Sequence, residues 1–276
     1  MEVMSHSSSF LIPAIPPDQR SSLTYALVVL NQSLPRFVPL LWNHEQHNFA
    51  CVPMEEPIAS TMNSLCSSLM KMLLMYKPDV IKGDMDSIRT EVLDFYTNNG
   101  TKIMDESDDQ DTTDLHKCVS YICDFAPNLD KSSLCILVAG ALGGRFDHEM
   151  GNINVLCRFS SIRIVLLSDD CLIHLLPRTH HHEIHIQSST VGPHCGLIPV
   201  GMPSGSTTTT GLEWDLLGHS VWDMIDGQTA STKQNETEMR FGGLISTSNI
   251  VKGEKITVRS DTDLLWTISI KKLQTG

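Results

Sequence analysis

Apolar residues in the first 170 positions fall into runs that switch repeatedly between strand-like and helix-like spacing. "YALVVLNQ" (25–32) is a β-rich run closed by a polar turn, which predicts a first strand. Val80 and Ile81 stand ahead of a Gly-Asp turn in "KPDVIKGDMDSI", a strand followed by a loop. "RTEVLDFYTNNG" (89–100) predicts a helix with Val92, Leu93, Phe95 and Tyr96 inward and an Asn-Asn-Gly stop. "TKIMDES" predicts a short strand. In "DTTDLHKCVSYICDF" (111–125) an Asp or Thr cap precedes Leu115, Cys118, Val119 and Ile122 at helical spacing. "SLCILVAGA" (133–141) is a continuous apolar run, the signature of a strand buried on both faces of a parallel sheet. A helix over "DHEMGNINVLCRF" and another buried strand over "IRIVLLSDD" follow. Strands alternating with helices predict an α/β domain with a mostly parallel sheet over residues 23–170.

Beyond Asp169–Cys171 the texture changes. "CLIHLLP", "HHEIHIQS", "HCGLIPVG", "STTTTGLEWDL", "GGLISTSNIV", "KITVRSD" and "LLWTISIKK" are short strands split by turn residues, with no helical stretch. They predict an all-β sandwich domain over 171–276. The first 22 residues lack a basic n-region and a long apolar core, and read as a flexible leader rather than a signal peptide.

Composition narrows the function classes. The 276 residues are 41% hydrophobic and 19% charged, the values of an ordinary soluble protein. A net charge of −12 leaves no basic stripe for nucleic acid, but carboxylates can hold a nucleotide through Mg²⁺. No apolar run reaches the length of a membrane span. The eight cysteines lack CxxC pairs, and Cys118, Cys123, Cys135 and Cys157 sit among apolar neighbours. They read as buried reduced thiols, which suits the cytosol.

Acidic groups collect at the predicted strand ends: Asp84 and Asp86 in "GDMDS", Asp109, Asp111 and Asp114 in "DDQDTTD", and Asp147 with Arg145 in "GGRFD". Singly, each is more often a solvated loop acid or a helix cap. Together, beyond the carboxyl ends of a parallel sheet, they are placed where such sheets bind ligands. Carboxylates supply the hard oxygens that Mg²⁺ on a polyphosphate requires. Gly143 and Gly144 would let backbone N–H groups approach a phosphate, and Arg145 would take charge that develops in transfer. In the second domain Ser246, Thr247, Ser248 and Asn249 are small hydrogen-bonding residues. Trp266 is a stacking candidate there, although read alone it is more often a core tryptophan. "HHHEIHI" does not read as a zinc site, because His182 and His185 do not alternate on a strand and no acidic or cysteine set completes the ligands.

"GDMDSI", "DQDTTDLHKC", "GALGGRFDHEMGNINVL", "CGLIPVG", "TTTTGLEWDL", "GGLISTSN" and "LLWTISIKK", in this order, resemble the thiamine pyrophosphokinase family, most closely its plant form. The resemblance covers residues 25–50 and 76–276. It implies a Rossmann-like α/β domain followed by a β-sandwich, and a homodimer with active sites at the subunit interface. It implies Mg²⁺-dependent transfer of pyrophosphate from ATP to thiamine, giving thiamine diphosphate and AMP. By motif match it makes Asp84, Asp86, Asp111, Asp114, Arg145 and Asp147 catalytic candidates, with Asp84, Asp86 and Asp111 as metal ligands. ATP contacts would come from Gly83, Asp84, Thr113, Gly143, Gly144 and Arg145, and thiamine contacts from Gln110, Ser246, Ser248, Asn249 and Trp266.

Two segments depart from the family pattern. Where the family carries Asp-Gly-Gly-Ala-Asn, this chain has "CVPMEEPIASTMNSLCSSLMKM" (51–72), with no glycine. With synonymous codons chosen to suit, a stretch coding for Asp-Gly-Gly-Ala-Asn-Arg-Ile-Tyr-Asp-Glu-Leu, read one base along, yields Met-Glu-Glu-Pro-Ile-Ala-Ser-Thr-Met-Asn-Ser, which is residues 54–64. Residues 51–75 therefore read as an out-of-frame translation, and the coding DNA across residues 45–80 decides it. "LGHSVWDMIDGQTASTKQ" (217–234) reads as an insertion. The altered loop raises an alternative, a catalytically impaired homologue that binds thiamine or nucleotide as a dimer subunit. A weaker one is transfer to a different small alcohol.

Overall fold

The structure is a computed structural model that describes residues 2–12, 23–30, 32, 34–42, 47–51, 77–85, 88, 90–125, 130–217 and 238–272. Residues 52–76 and 218–237 lie outside these, so the reading-frame expectation and nearly all of the expected insertion do too.

The chain divides into two units, residues 21–169 and residues 170–273 together with 1–20. In the first unit β2 (Thr24–Val29), β3 (His47–Cys51), β4 (Val80–Gly83), β5 (Lys102–Asp105), β6 (Leu134–Ala139) and β7 (Arg163–Leu167) pair in parallel, in the order β7-β6-β2-β3-β4-β5. Every residue of β6 is buried, as an all-apolar strand covered on both faces must be. The chain runs outward from β2 to β5, then returns to the other side of β2 as β6, so the strand order reverses between these neighbours.

Helices α1 (Val38–Trp42), α2 (Thr90–Asn98), α3 (Asp114–Phe125) and α4 (Phe146–Arg158) connect these strands. On α3 the predicted stripe of Leu115, Cys118, Val119 and Ile122 is buried, and Lys117 is buried beside it. On α2 only Val92 and Tyr96 are buried, while Leu93 and Phe95 are half-exposed. Cys123 and Cys135 are free thiols, and the buried Cys118 places its Sγ 3.9 Å from the Lys82 carbonyl oxygen. Burial pushes the Cys135 thiol up to about 12, so it does not ionise near neutral pH.

The described residues of the second unit form two sheets and no α-helix. One sheet has the order β1-β9-β13-β11, built from β1 (Glu2–Ser7), β9 (His180–His185), β13 (Lys255–Ser260) and β11 (Thr207–Thr210). The other strands are β12 (Ser246–Ile250), β10 (Val191–Pro199), β14 (Leu264–Ile270) and β8 (Cys171–Leu176), antiparallel in that order. The His6 ring from one sheet stacks on His174 from the other at 4.5 Å, so the two sheets face each other.

The expected flexible leader is not what residues 2–12 form. β1 pairs in parallel with β9 over the whole of Glu2–Ser7, and Phe10 and Leu11 are buried behind it. His182 Nε2 donates to the Pro177 carbonyl at 2.9 Å, because that oxygen can only accept. His182 Nδ1 is then the acceptor for His6 Nε2 at 3.0 Å. His182 of the histidine-rich stretch thus helps to anchor β1.

Candidate functional site

β2 and β6 leave the sheet side by side, and their exits are tied by a hydrogen bond from Leu30 N to Ala139 O at 2.8 Å. Gly140 turns there with φ at 75°, and a Cβ on it would sit 2.4 Å from the Leu30 carbonyl oxygen. Only glycine fits this exit. The turn opens a cavity of about 300 Å³ at the point where strand order reverses, lined by residues following β2, β4 and β6 and by the first turns of α3 and α4. This is where an open parallel sheet holds its ligand.

Three carboxylates line the cavity, Asp84, Asp114 and Asp147, together with Gln32, Thr113, His148 and Asn152. Thr113 caps α3: its carbonyl accepts from Lys117 N at 3.0 Å and its hydroxyl from His116 N at 3.3 Å. Among the described residues no side chain caps α4, which begins after Arg145. Both helix N-termini carry partial positive charge and face the same space, an arrangement that suits an anion. Asn152 fixes the opposite wall by donating from Nδ2 to the Ala141 carbonyl at 2.9 Å.

The structure brings some predicted residues together and separates others. Asp84, Thr113, Asp114 and Asp147 share the cavity, and Gly83 precedes it at the end of β4. Asp86 lies outside the described residues. Arg145 grips Asp147 through two bonds, Nε to Oδ1 at 3.1 Å and a terminal nitrogen to Oδ2 at 2.5 Å. Those bonds hold the Asp147 carboxyl below the usual carboxylate range. The Gly143 N–H does not stand open to a phosphate, because it donates to Glu149 Oε1 at 2.8 Å. Gly144 lies against the Gln32 side chain.

Gln110 and Asp111 are exposed on the β5–α3 loop and do not line the cavity. That loop is ordered by its own acids. Asp105 accepts from the Ser107 hydroxyl and from Ser107 N at 3.0 Å, and Asp109 accepts from the Thr112 hydroxyl and from Asp111 N at 3.0 Å. Both carboxyls are held below their ordinary range by these hydrogen bonds. Among the described residues no three acids, histidines or cysteines gather closely enough to make a metal site alone.

In the second unit, Ser246 and Ser248 lie on β12, and Ser248 takes a left-handed φ of 57°, rare for a residue other than glycine. Asn249 is 2% exposed and its amide clamps the neighbouring loop, Oδ1 accepting from Trp214 N at 3.2 Å and Nδ2 donating to Trp214 O at 2.9 Å. Trp266 is 0% exposed in the core, where no ligand can stack on its ring. The aromatic surface beside β12 is Trp214 instead, 60% exposed. Its signal in sequence was "GLEWDL", a tryptophan in a polar turn between strands.

Comparison with known proteins agrees with both halves. The family described as thiamin pyrophosphokinase, catalytic domain, matches residues 60–166, and thiamin pyrophosphokinase, vitamin B1 binding domain, matches residues 181–265. Thiamine pyrophosphokinase 1 of Arabidopsis thaliana is 60% identical over 275 residues, covering 99% of this chain and 95% of that protein. Thiamine pyrophosphokinase 1 of Oryza sativa subsp. japonica is 55% identical over 279 residues, covering 98% and 99%. The crystal structure of yeast thiamin pyrophosphokinase has the same fold, with a TM-score of 0.72 at 21% identity over 97% of this chain and 91% of that one. With relatives this similar over nearly the full length, the chain belongs to the thiamine pyrophosphokinase family.

Proposed function

We propose that this chain transfers the pyrophosphate of ATP to thiamine, giving thiamine diphosphate and AMP. The observation that carries the reading is the carboxylate-lined cavity at the β2–β6 reversal, where the first turns of α3 and α4 meet. That placement also supports reading the first unit as Rossmann-like and the second, with its two facing sheets, as a β-sandwich.

The hydroxyethyl oxygen of thiamine attacks the β-phosphorus of ATP. The bond from that phosphorus to the bridging α–β oxygen breaks, AMP departs, and the hydroxyl proton passes to a carboxylate of the cavity. The N-termini of α3 and α4 hold the polyphosphate. Arg145, beside Asp147, faces the charge that develops on the leaving oxygen. The donor set fits Mg²⁺, which takes one or two carboxylates and completes its shell with phosphate oxygens and water. Asp84, with Asp111 on the β5–α3 loop and Asp86 by motif match alone, would hold that ion, which neutralises phosphate charge when bound. Ser246, Ser248 and the exposed Trp214 are the thiamine contacts of the second unit, and Gln110 is the candidate contact of the first. The chain works as a homodimer with its sites at the subunit interface. The free thiols at Cys123, Cys135 and Cys195 suit a cytosolic setting.

No helix among the described residues is long and apolar enough to cross a membrane. The comparisons lend no support to the alternative of an impaired homologue. The test is product analysis with ATP, Mg²⁺ and thiamine. AMP and thiamine diphosphate should form in equal amounts. Formation of ADP, or an AMP yield indifferent to thiamine, would overturn the assignment. Replacing thiamine with other small alcohols in the same assay checks the acceptor.

A further inference from the structure

Helix α3 packs on β4, and Lys117 lies on its packed side with a side chain only 2% exposed. Its ammonium donates to Asp84 Oδ1 at 2.6 Å and to the Glu106 carbonyl oxygen at 3.2 Å. The Glu106 carboxylate in turn pairs with the ammonium of Lys82, which is also buried. Two cations and two anions therefore run as one neutral chain from β4 through the β5–α3 loop to α3, and the chain ends at the cavity. An ammonium this deep is tolerated only when paired and hydrogen-bonded. The pairing also acts on its partner. A carboxylate on a loop after a strand samples several rotamers, whereas one with an oxygen fixed by a buried donor is confined to one.

We propose that Lys117 is the positioning residue for Asp84: it fixes one carboxylate oxygen from behind and so sets how the other is presented to the cavity that takes the polyphosphate. Lys82 and Glu106 brace the pair. The inference rests on the function proposed above, in which Asp84 belongs to the pyrophosphate site.

A double-mutant cycle tests it. Lys117→Met keeps the volume and removes the charge, Lys117→Arg keeps the charge, and each is made alone and with Asp84→Asn. Misplacement of a reacting group by about 1 Å costs about 100-fold, so Lys117→Met should lower kcat by about that factor. The KM for thiamine should move less than about 2-fold, since thiamine binding is untouched, and Lys117→Arg should recover most of the loss. With Asn at position 84 there is no carboxylate to position, and the Met substitution should cost less than about 3-fold further. Equal losses in the two backgrounds, or a raised thiamine KM with kcat unchanged, would overturn the proposal.

Calorimetric binding of ATP with Mg²⁺ to the same proteins reads the same coupling without turnover. It decides the positioning role even if the parent chain releases no AMP, an outcome that would instead sink the proposed function. Should Lys117→Met alone fail to fold, Lys117→Gln and the Met–Asn double variant remain. The double variant removes both charges together and leaves none of that pair buried alone.

Discussion

The stacking candidate in the sequence, Trp266, is a core residue, and the exposed tryptophan beside β12 is Trp214. Trp266 sits mid-strand in "LLWTISI" and is wholly buried on β14, whereas Trp214 stands in a turn with its ring exposed and its backbone clamped by Asn249. The same substitution at the two sites should therefore read out differently. Trp214→Ala should raise the thiamine KM by about 10-fold, the loss expected of one stacked aromatic contact, with little change in thermal stability. Trp266→Ala should instead cost about 3–5 kcal/mol of stability, seen as a lower denaturation midpoint. A larger thiamine KM effect from a still-folded Trp266 variant would reverse the assignment. Asn249 shows why this was hard to read in advance. An asparagine in "STSN" has the chemistry of a ligand contact, and only the fold reveals that its amide is already engaged by the Trp214 backbone. Lys117 is the counterpart in the first unit: its position in "DLHKC" lies off the apolar stripe, so the pattern gives no reason to bury it.

At the scale of elements, legibility tracked how local the stabilising contacts are. β6 was readable because a continuous apolar run has few other places to go, and α3 because its stripe repeats at helical spacing. The cavity was half readable. Acids at strand ends marked Asp84, Asp114 and Asp147, but their convergence depends on the return of β6 to β2, which no single segment encodes. β1 was not readable at all. In "EVMSHS" only His6 is buried, and its partners stand more than 160 residues away on β9 and β8. What could have raised suspicion is the apolar "FLI" that follows, since Leu11 ends up 0% exposed. A leader in solution would tolerate Leu11→Ala without effect. A buried leucine beside the β1–β9 pair should lose about 2–5 kcal/mol on the same change, measured by urea denaturation of the full chain.

At the scale of the molecule, the proposed chemistry splits between units of different class: the candidate phosphate-binding groups line the cavity of the α/β unit, and the exposed tryptophan with the serines of β12 belongs to the other. In the proposed homodimer each active site draws its phosphate wall from one subunit and its thiamine wall from the partner. Such sharing has a consequence that a self-contained subunit lacks. Asp84→Asn should disable the phosphate wall, and Trp214→Arg should disable the thiamine wall by setting a cation against the thiazolium ring. Each variant alone is then nearly inactive. Random reassortment of equal amounts makes half the dimers mixed, and each mixed dimer carries one site with both walls intact and one with neither. Roughly one quarter of the parent activity should return on mixing and subunit exchange. If each subunit instead built its site from its own two units, the mixture would show only the average of the two weak variants, however long exchange was allowed. The same experiment separates the two sources of failure, because the masses of the mixed species report directly whether heterodimers formed.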